Sequence, residues 1–215
     1  MPKINNINDL SPNINRLNDR YILLILSVII LLIGLWIPRI RPYFPSRGER
    51  FFELAILGDD MRGENYYPED DPHINIGEQI KWNIYTHNHM ERIEYVTVKI
   101  KLLNSTMVPP DSATCTPSPA TVIYEISNGL VNNETIIFPL SWSINIIDDE
   151  LGFTTIKSIQ INKENINVDI MDKNNSFRFI FELWILDSEG GDDFGWNSAE
   201  GKRCVWTQIW FNVEN

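Results

Sequence analysis

Residues 94–103 read EYVTVKIKLL, and their order decides the fold class. Val96, Val98, Ile100 and Leu102 fall on one side of an extended chain, and Thr97, Lys99 and Lys101 on the other. A period of two is the mark of a strand with one buried face, because successive side chains point to opposite sides of the pleat. QIKWNIYT, residues 79–86, repeats the pattern with Ile80, Trp82 and Ile84 set against Lys81 and Asn83. Further strands are predicted at Phe51–Leu57, Thr121–Ile126, Thr135–Ile144, Thr155–Ile161, Phe177–Leu186 and Cys204–Val213, all rich in β-branched and aromatic residues. Turn clusters separate them at Gly58-Asp59-Asp60, Pro109-Pro110-Asp111, Ser127-Asn128-Gly129 and Gly190-Gly191-Asp192. Short strands without intervening helices predict an antiparallel β-sandwich of immunoglobulin-like type over residues 51–215. NSTMVPPDSATCTPSPA, residues 104–120, reads as a polar loop within it.

Upstream the pattern changes. Residues 22–37, ILLILSVIILLIGLWI, carry no charge. As a helix they would extend roughly 24 Å, at the short end of what spans a bilayer. Tyr21 and Trp36 flank the run, and Arg20, Arg39 and Arg41 could reach lipid headgroups. The run ends in WIPRIRPYFP, which lacks the small residues of a signal cleavage site. The expected organisation is a polar, Asn-rich tail (1–20), a single transmembrane anchor (21–37), a Pro/Arg tether (38–50) and an extracytoplasmic domain (51–215). Basic residues flank both ends of the run and point only weakly to an orientation. The sequons at Asn104, Asn133 and Asn174 all follow the anchor, as do both cysteines, which favours an external C-terminal domain.

The chain has 215 residues, with 18 Lys and Arg against 29 Asp and Glu, for a net charge of -11. Residues 51–215 alone hold most of the acids, so binding of nucleic acid through phosphate neutralisation is not expected. No G-x-S-x-G, P-loop or H-E-x-x-H pattern occurs, so neither an enzyme nor a cofactor is expected.

In the block from residue 51 to 103, an early strand carries Glu53 and Leu54, followed by Tyr67-Pro68, Ile76-Gly77-Glu78, Asn88-His89 and then Tyr95. This layout resembles the DUF1616 family of archaeal membrane proteins of unknown function. The resemblance implies a membrane-tethered β-sandwich in an archaeal cell envelope, with no known catalytic residue.

Three groups of residues could carry chemistry. His87 and His89 share a strand face and could offer imidazoles to copper or zinc, or simply end a polar face beside a turn. Asp59-Asp60, Glu69-Asp70-Asp71 and the run from Asp187 through Glu189 to Asp192-Asp193 could offer oxygen ligands to calcium, or serve turns and solvation. The strands at 177–186 and 204–213 are apolar on both faces. If the phenylalanines face the core, Trp184, Trp206 and Trp210 point outward, either as a docking patch or beneath the 104–120 loop. Cys115 and Cys204 are expected to form a disulfide in an oxidising exterior. Together these readings predict a non-enzymatic envelope protein, anchored through Ile22–Ile37, that mediates protein or glycan contacts. The alternatives are an accessory subunit of a membrane complex and a metal-binding envelope protein using His87 and His89.

Overall fold

The computed structural model describes residues 19–40, 48–150, 152–186, 190–198 and 200–214. Residues 1–18 of the polar tail, residues 41–47 of the tether, and Asp187 and Glu189 lie outside them, as do the side chains of Arg20, Trp36 and Arg39. The chain divides into two compact units, Met1–Gly48 and Glu49–Asn215. In the first, helix α1 spans Asp19–Ile40, and its described side chains, residues 21–33, are all exposed. Among the described residues no helix is long and apolar enough to cross a membrane.

The second unit is mainly β and antiparallel. Its strands are β1 (Phe52–Leu57), β2 (His73–Ile74), β3 (Ile80–Asn88), β4 (Glu94–Asn104), β5 (Val122–Leu130), β6 (Thr135–Glu150) and β7 (Phe153–Ile161). They continue with β8 (Glu164–Asp172), β9 (Ser176–Leu186), β10 (Asp192–Asp193), β11 (Trp196–Ser198), β12 (Gly201–Arg203) and β13 (Val205–Val213). One sheet runs β1-β3-β6-β7-β8; the other runs β2-β13-β9-β4-β5, with β10 beside β9. Among the described residues only the short β2–β13 pairing is parallel. A separate hairpin pairs β11 with β12.

Alternation places the core where the sequence predicts it. Trp82, Ile84, Trp142 and Ile144 of the first sheet meet Phe177, Phe179, Phe181 and Phe211 of the second. The Trp82 and Trp142 rings lie 5.1 Å apart; Phe179 approaches them at 5.6 and 4.8 Å, and Phe211 stands 5.0 Å from Trp142. Tilted and edge-on rings at these distances suit the aromatic quadrupole and remove large apolar areas from water. Trp82 also donates its indole N–H to the Tyr66 carbonyl at 2.7 Å, which fixes the 58–67 turn region against the core.

Two details depart from the sequence reading. Ser127-Asn128-Gly129, expected as a turn, lies inside β5, where these residues pair with Thr97, Val96 and Tyr95. Residues 164–172, not expected as a strand, form β8 at a sheet edge, joined to β7 by Asn162 and Lys163, both at positive φ.

Buried polar side chains close the ends of the sandwich. Asn88 is fully buried; its amide donates to the carbonyls of Arg92 and Leu130, both at 2.9 Å, and accepts from Met90 N–H at 2.7 Å. Asp172 accepts from the backbone and hydroxyl of Ser105 and from the N–H groups of Asn174 and Ser176. Burial pushes the Asp172 pKa up, but these donors outweigh it and hold the carboxyl below its ordinary value. A depressed native pKa contributes stability that is present at neutral pH and lost as pH falls through the native titration. Asp172→Asn is therefore expected to destabilise the domain by about 1–3 kcal/mol at neutral pH. Urea unfolding should show that difference starting to shrink as the pH falls below about 3.9, the unfolded-state value, and vanishing only below the depressed native titration, where Asp172 is neutral in the folded domain too.

Candidate functional site

The outer face of the second sheet is where the chemistry-bearing side chains gather. Register sets Trp206 and Lys99 opposite Glu182, Gln208 and Lys101 opposite Ile180, and Trp210 opposite Arg178. The phenylalanines of β9 take the core, so Arg178, Ile180, Glu182 and Trp184 face away from it, as the alternation predicts.

That face is not bare. Residues 105–121 cross it as a strap. Ser118 donates its N–H to Glu182 Oε1 at 2.7 Å, and its carbonyl accepts from Lys101 Nζ at 2.6 Å. Lys101 Nζ also lies 2.8 Å from Glu182 Oε2, and only 4% and 0% of the two side chains is exposed. Glu182 takes a further hydrogen bond from Trp184 Nε1 at 3.0 Å. A buried ion pair is tolerated when its remaining lone pairs and protons are satisfied, and the strap supplies that satisfaction here. Ile180 is fully buried on the same face. At one end Arg178 donates to Met107 O at 2.5 Å and to Gln208 Oε1 at 3.1 Å, while its desolvation lowers its pKa. At the other, Trp206 Nε1 donates to Ser112 Oγ at 2.8 Å.

The three tryptophans therefore have separate surroundings. Trp184 is half-buried, with Lys99 Nζ 3.8 Å from its ring centre and Phe194 at 5.6 Å. Trp206 is half-buried against the strap. Trp210 is 39% exposed, with the Arg178 guanidinium 4.5 Å from its ring centre. Beside it, an open cleft of about 460 Å³ is lined by Tyr66, Tyr67, Ile209 and Trp210, together with part of β1. The Tyr67 hydroxyl donates to the Trp210 carbonyl at 2.5 Å across this side of the domain.

Cys115 and Cys204 are free thiols, so the expected disulfide is not formed in this structure. They are nonetheless neighbours: their sulfurs lie 4.0 and 3.9 Å from the same Ser112 carbonyl oxygen. The His87 and His89 rings lie 4.1 Å apart, tilted by 37° to one another. His89 Nε2 pairs with Glu53 at 3.0 Å, and His87 Nδ1 with Thr135 Oγ1 at 2.6 Å, leaving His87 Nε2 buried and unpartnered. Tyr85 donates to the other Glu53 oxygen. Burial raises the Glu53 pKa, but the bonds from His89 and Tyr85 prevail and hold it low. Among the described residues no group of three His, Cys, Asp or Glu is arranged to hold a metal ion. The acidic clusters are engaged locally: Asp60 accepts from Arg62 N–H and Asn65, Asp71 pairs with His73, and Asp192 and Asp193 pair with Lys99 and Lys202.

The residues not anticipated from sequence are Lys101, Glu182, Arg178 and Ser118. Part of their signal was present: Arg178 and Glu182 are charges within a strand otherwise apolar on both faces, whereas Lys101 reads as one more residue on the wet side of an alternating strand.

No family model matches the chain, and no curated protein matches it. Among solved structures, a β-glucosidase from Listeria innocua in complex with glucose is similar at 10% identity and a TM-score of 0.37, over 77% of this chain and 16% of that one. The C-terminal domain of wzt is similar at 8% identity and a TM-score of 0.35, over 78% and 80% of the two chains. A β-glucosidase from Kluyveromyces marxianus in complex with glucose reaches 11% identity and a TM-score of 0.30, over 77% and 15%. The chain thus spans about a sixth of the length of the β-glucosidases it matches. At these scores no activity or ligand passes from them to this chain.

The buried pair makes a sharp prediction. Lys101→Ala or Glu182→Ala alone should destabilise the domain by about 3–5 kcal/mol, because each strands a buried charge. Replacing both partners at once with apolar residues, Lys101→Met combined with Glu182→Leu, should recover most of that loss in urea unfolding.

Proposed function

We propose that this chain is a non-enzymatic module of the cell envelope, an immunoglobulin-like β-sandwich carried on a membrane anchor and used for contacts with an envelope partner. The observation that carries the reading is the apolar run at residues 22–37 upstream of a self-contained β unit, Glu49–Asn215. The described part of that run, within α1, is exposed throughout its own unit, as a lipid-facing helix would be. The grouping β13-β9-β4-β5 parallels the G-F-C-C′ arrangement of variable-type domains and supports the immunoglobulin-like reading, with β6, β7 and β8 as this chain's own variation. The resemblance to DUF1616 points the same way.

Trp210 and the adjoining cleft are the contact surface we favour, since Trp184 and Trp206 are partly spent on the strap and its ion pair. A tryptophan with one exposed face offers a large apolar area at low conformational cost. An external location also bears on the sequons. Asn133 and Asn174 are exposed, whereas Asn104 spends its side chain on Thr106, Met107 and Met171.

Full-length protein is expected in the membrane fraction, resistant to alkaline carbonate and released by detergent. A fragment lacking residues 1–45 should be soluble and mainly β by circular dichroism. Recovery of full-length protein in the soluble fraction would overturn the anchor. Glycopeptide mapping should find glycan on Asn133 and Asn174 in preference to Asn104. Trp210→Ala should weaken partner capture while altering stability by less than about 1 kcal/mol, the range for exposed sites.

A further inference from the structure

We propose that Cys115 and Cys204 are an oxidisable pair, and that their disulfide staples the strap to the head of β13. Cys115 lies in the turn closed by the Asp111–Thr116 bridge, at a φ of 50°, and is buried. That turn presents the sulfur to the Ser112 carbonyl from one side, while Cys204 reaches the same oxygen from the sheet. The strap is already held over this ground by Ser118 on Glu182 and by Ser112 on Trp206, so joining the sulfurs orders nothing that is not ordered already.

Cys204 is partly exposed, so a small oxidant can reach it. Its thiol is pushed up to about 12, by burial first and by the neighbouring Cys115 thiol second. A thiol so poor in thiolate at neutral pH suits a structural staple and not a nucleophile kept for turnover. With a small-molecule disulfide as oxidant, one cysteine thiolate attacks an oxidant sulfur and displaces one oxidant thiolate. The second cysteine then attacks the protein sulfur of that mixed disulfide, forms the Cys115–Cys204 bond and releases the second oxidant thiolate. The protein gives up two electrons and two protons, and the oxidant disulfide leaves as two thiols. Joining residues about ninety apart lowers the entropy of the unfolded chain and so raises the unfolding midpoint.

The test uses the full chain in mild detergent, fully reduced and then exposed to oxidised glutathione. Peptide mapping without reduction should recover a Cys115–Cys204 cross-link, with both thiols lost to alkylation. The melting temperature should rise by about 10 °C over the reduced protein, and fall back when the bridge is reduced. Cys115→Ser and Cys204→Ser should each abolish the oxidant-dependent rise; the comparison of wild type with itself stands even if either variant folds poorly. Only glutathione adducts, only cross-links between molecules, or an internal cross-link with no rise in melting temperature would overturn the proposal.

Discussion

Strand β9 is buried on both sides, and most of the domain's particular features follow from that constraint. Phe177, Phe179 and Phe181 close the core against Trp82, Trp142 and Phe211. The opposite side carries Arg178, Ile180, Glu182 and Trp184, a mixture that could be left neither wholly wet nor wholly dry. A strand in the middle of a sheet with an apolar outer residue and a carboxylate beside it needs a cover that is itself polar. The strap meets this need because its backbone supplies a donor to Glu182 and an acceptor to Lys101. The covering loop and the buried ion pair are therefore one structure, and neither makes physical sense without the other.

This constraint also sorts the tryptophans. Trp184 spends its indole N–H on Glu182, and Trp206 spends its own on the strap, so both belong to the cover more than to a free surface. Trp210 lies past the strap's reach and keeps an exposed ring beside the cleft formed with Tyr66 and Tyr67. An exposed tryptophan displaced toward the β1–β13 side is thus a consequence of how β9 is covered. The same placement of the strap carries Cys115 to Cys204, far apart though they are along the chain.

Where side-chain alternation was strong, the strands could be read directly: residues 94–103 and 79–86 lie in β4 and β3, with their apolar residues in the core. β8 escaped notice because its apolar residues, Ile166, Val168 and Ile170, are diluted by Asn and acidic residues on a wet edge, where packing demands little of the sequence. At Ser127-Asn128-Gly129 turn chemistry was overridden by pairing with β4, a tertiary effect no local window contains. The strap was harder still. Its Ser, Thr and Pro content looks like solvated loop, and its role depends on two charges whose burial is set by residues far along the chain. Likewise, the proximity of the cysteines follows from where the strap lies and from nothing in their spacing. For the histidines, the shared strand face was legible, but the Glu53 and Thr135 partners that occupy them come from neighbouring strands.

The most direct measurement is native-state hydrogen exchange at the Ser118 amide, read alongside the amides of β9 in the reduced protein. If the strap is an integral cover of β9, the Ser118 N–H exchanges within about tenfold of the slow β9 amides, because both open only when the domain opens. Exchange at the rate of an unprotected loop amide, while β9 stays protected, would show that the strap rests on the sheet without closing it.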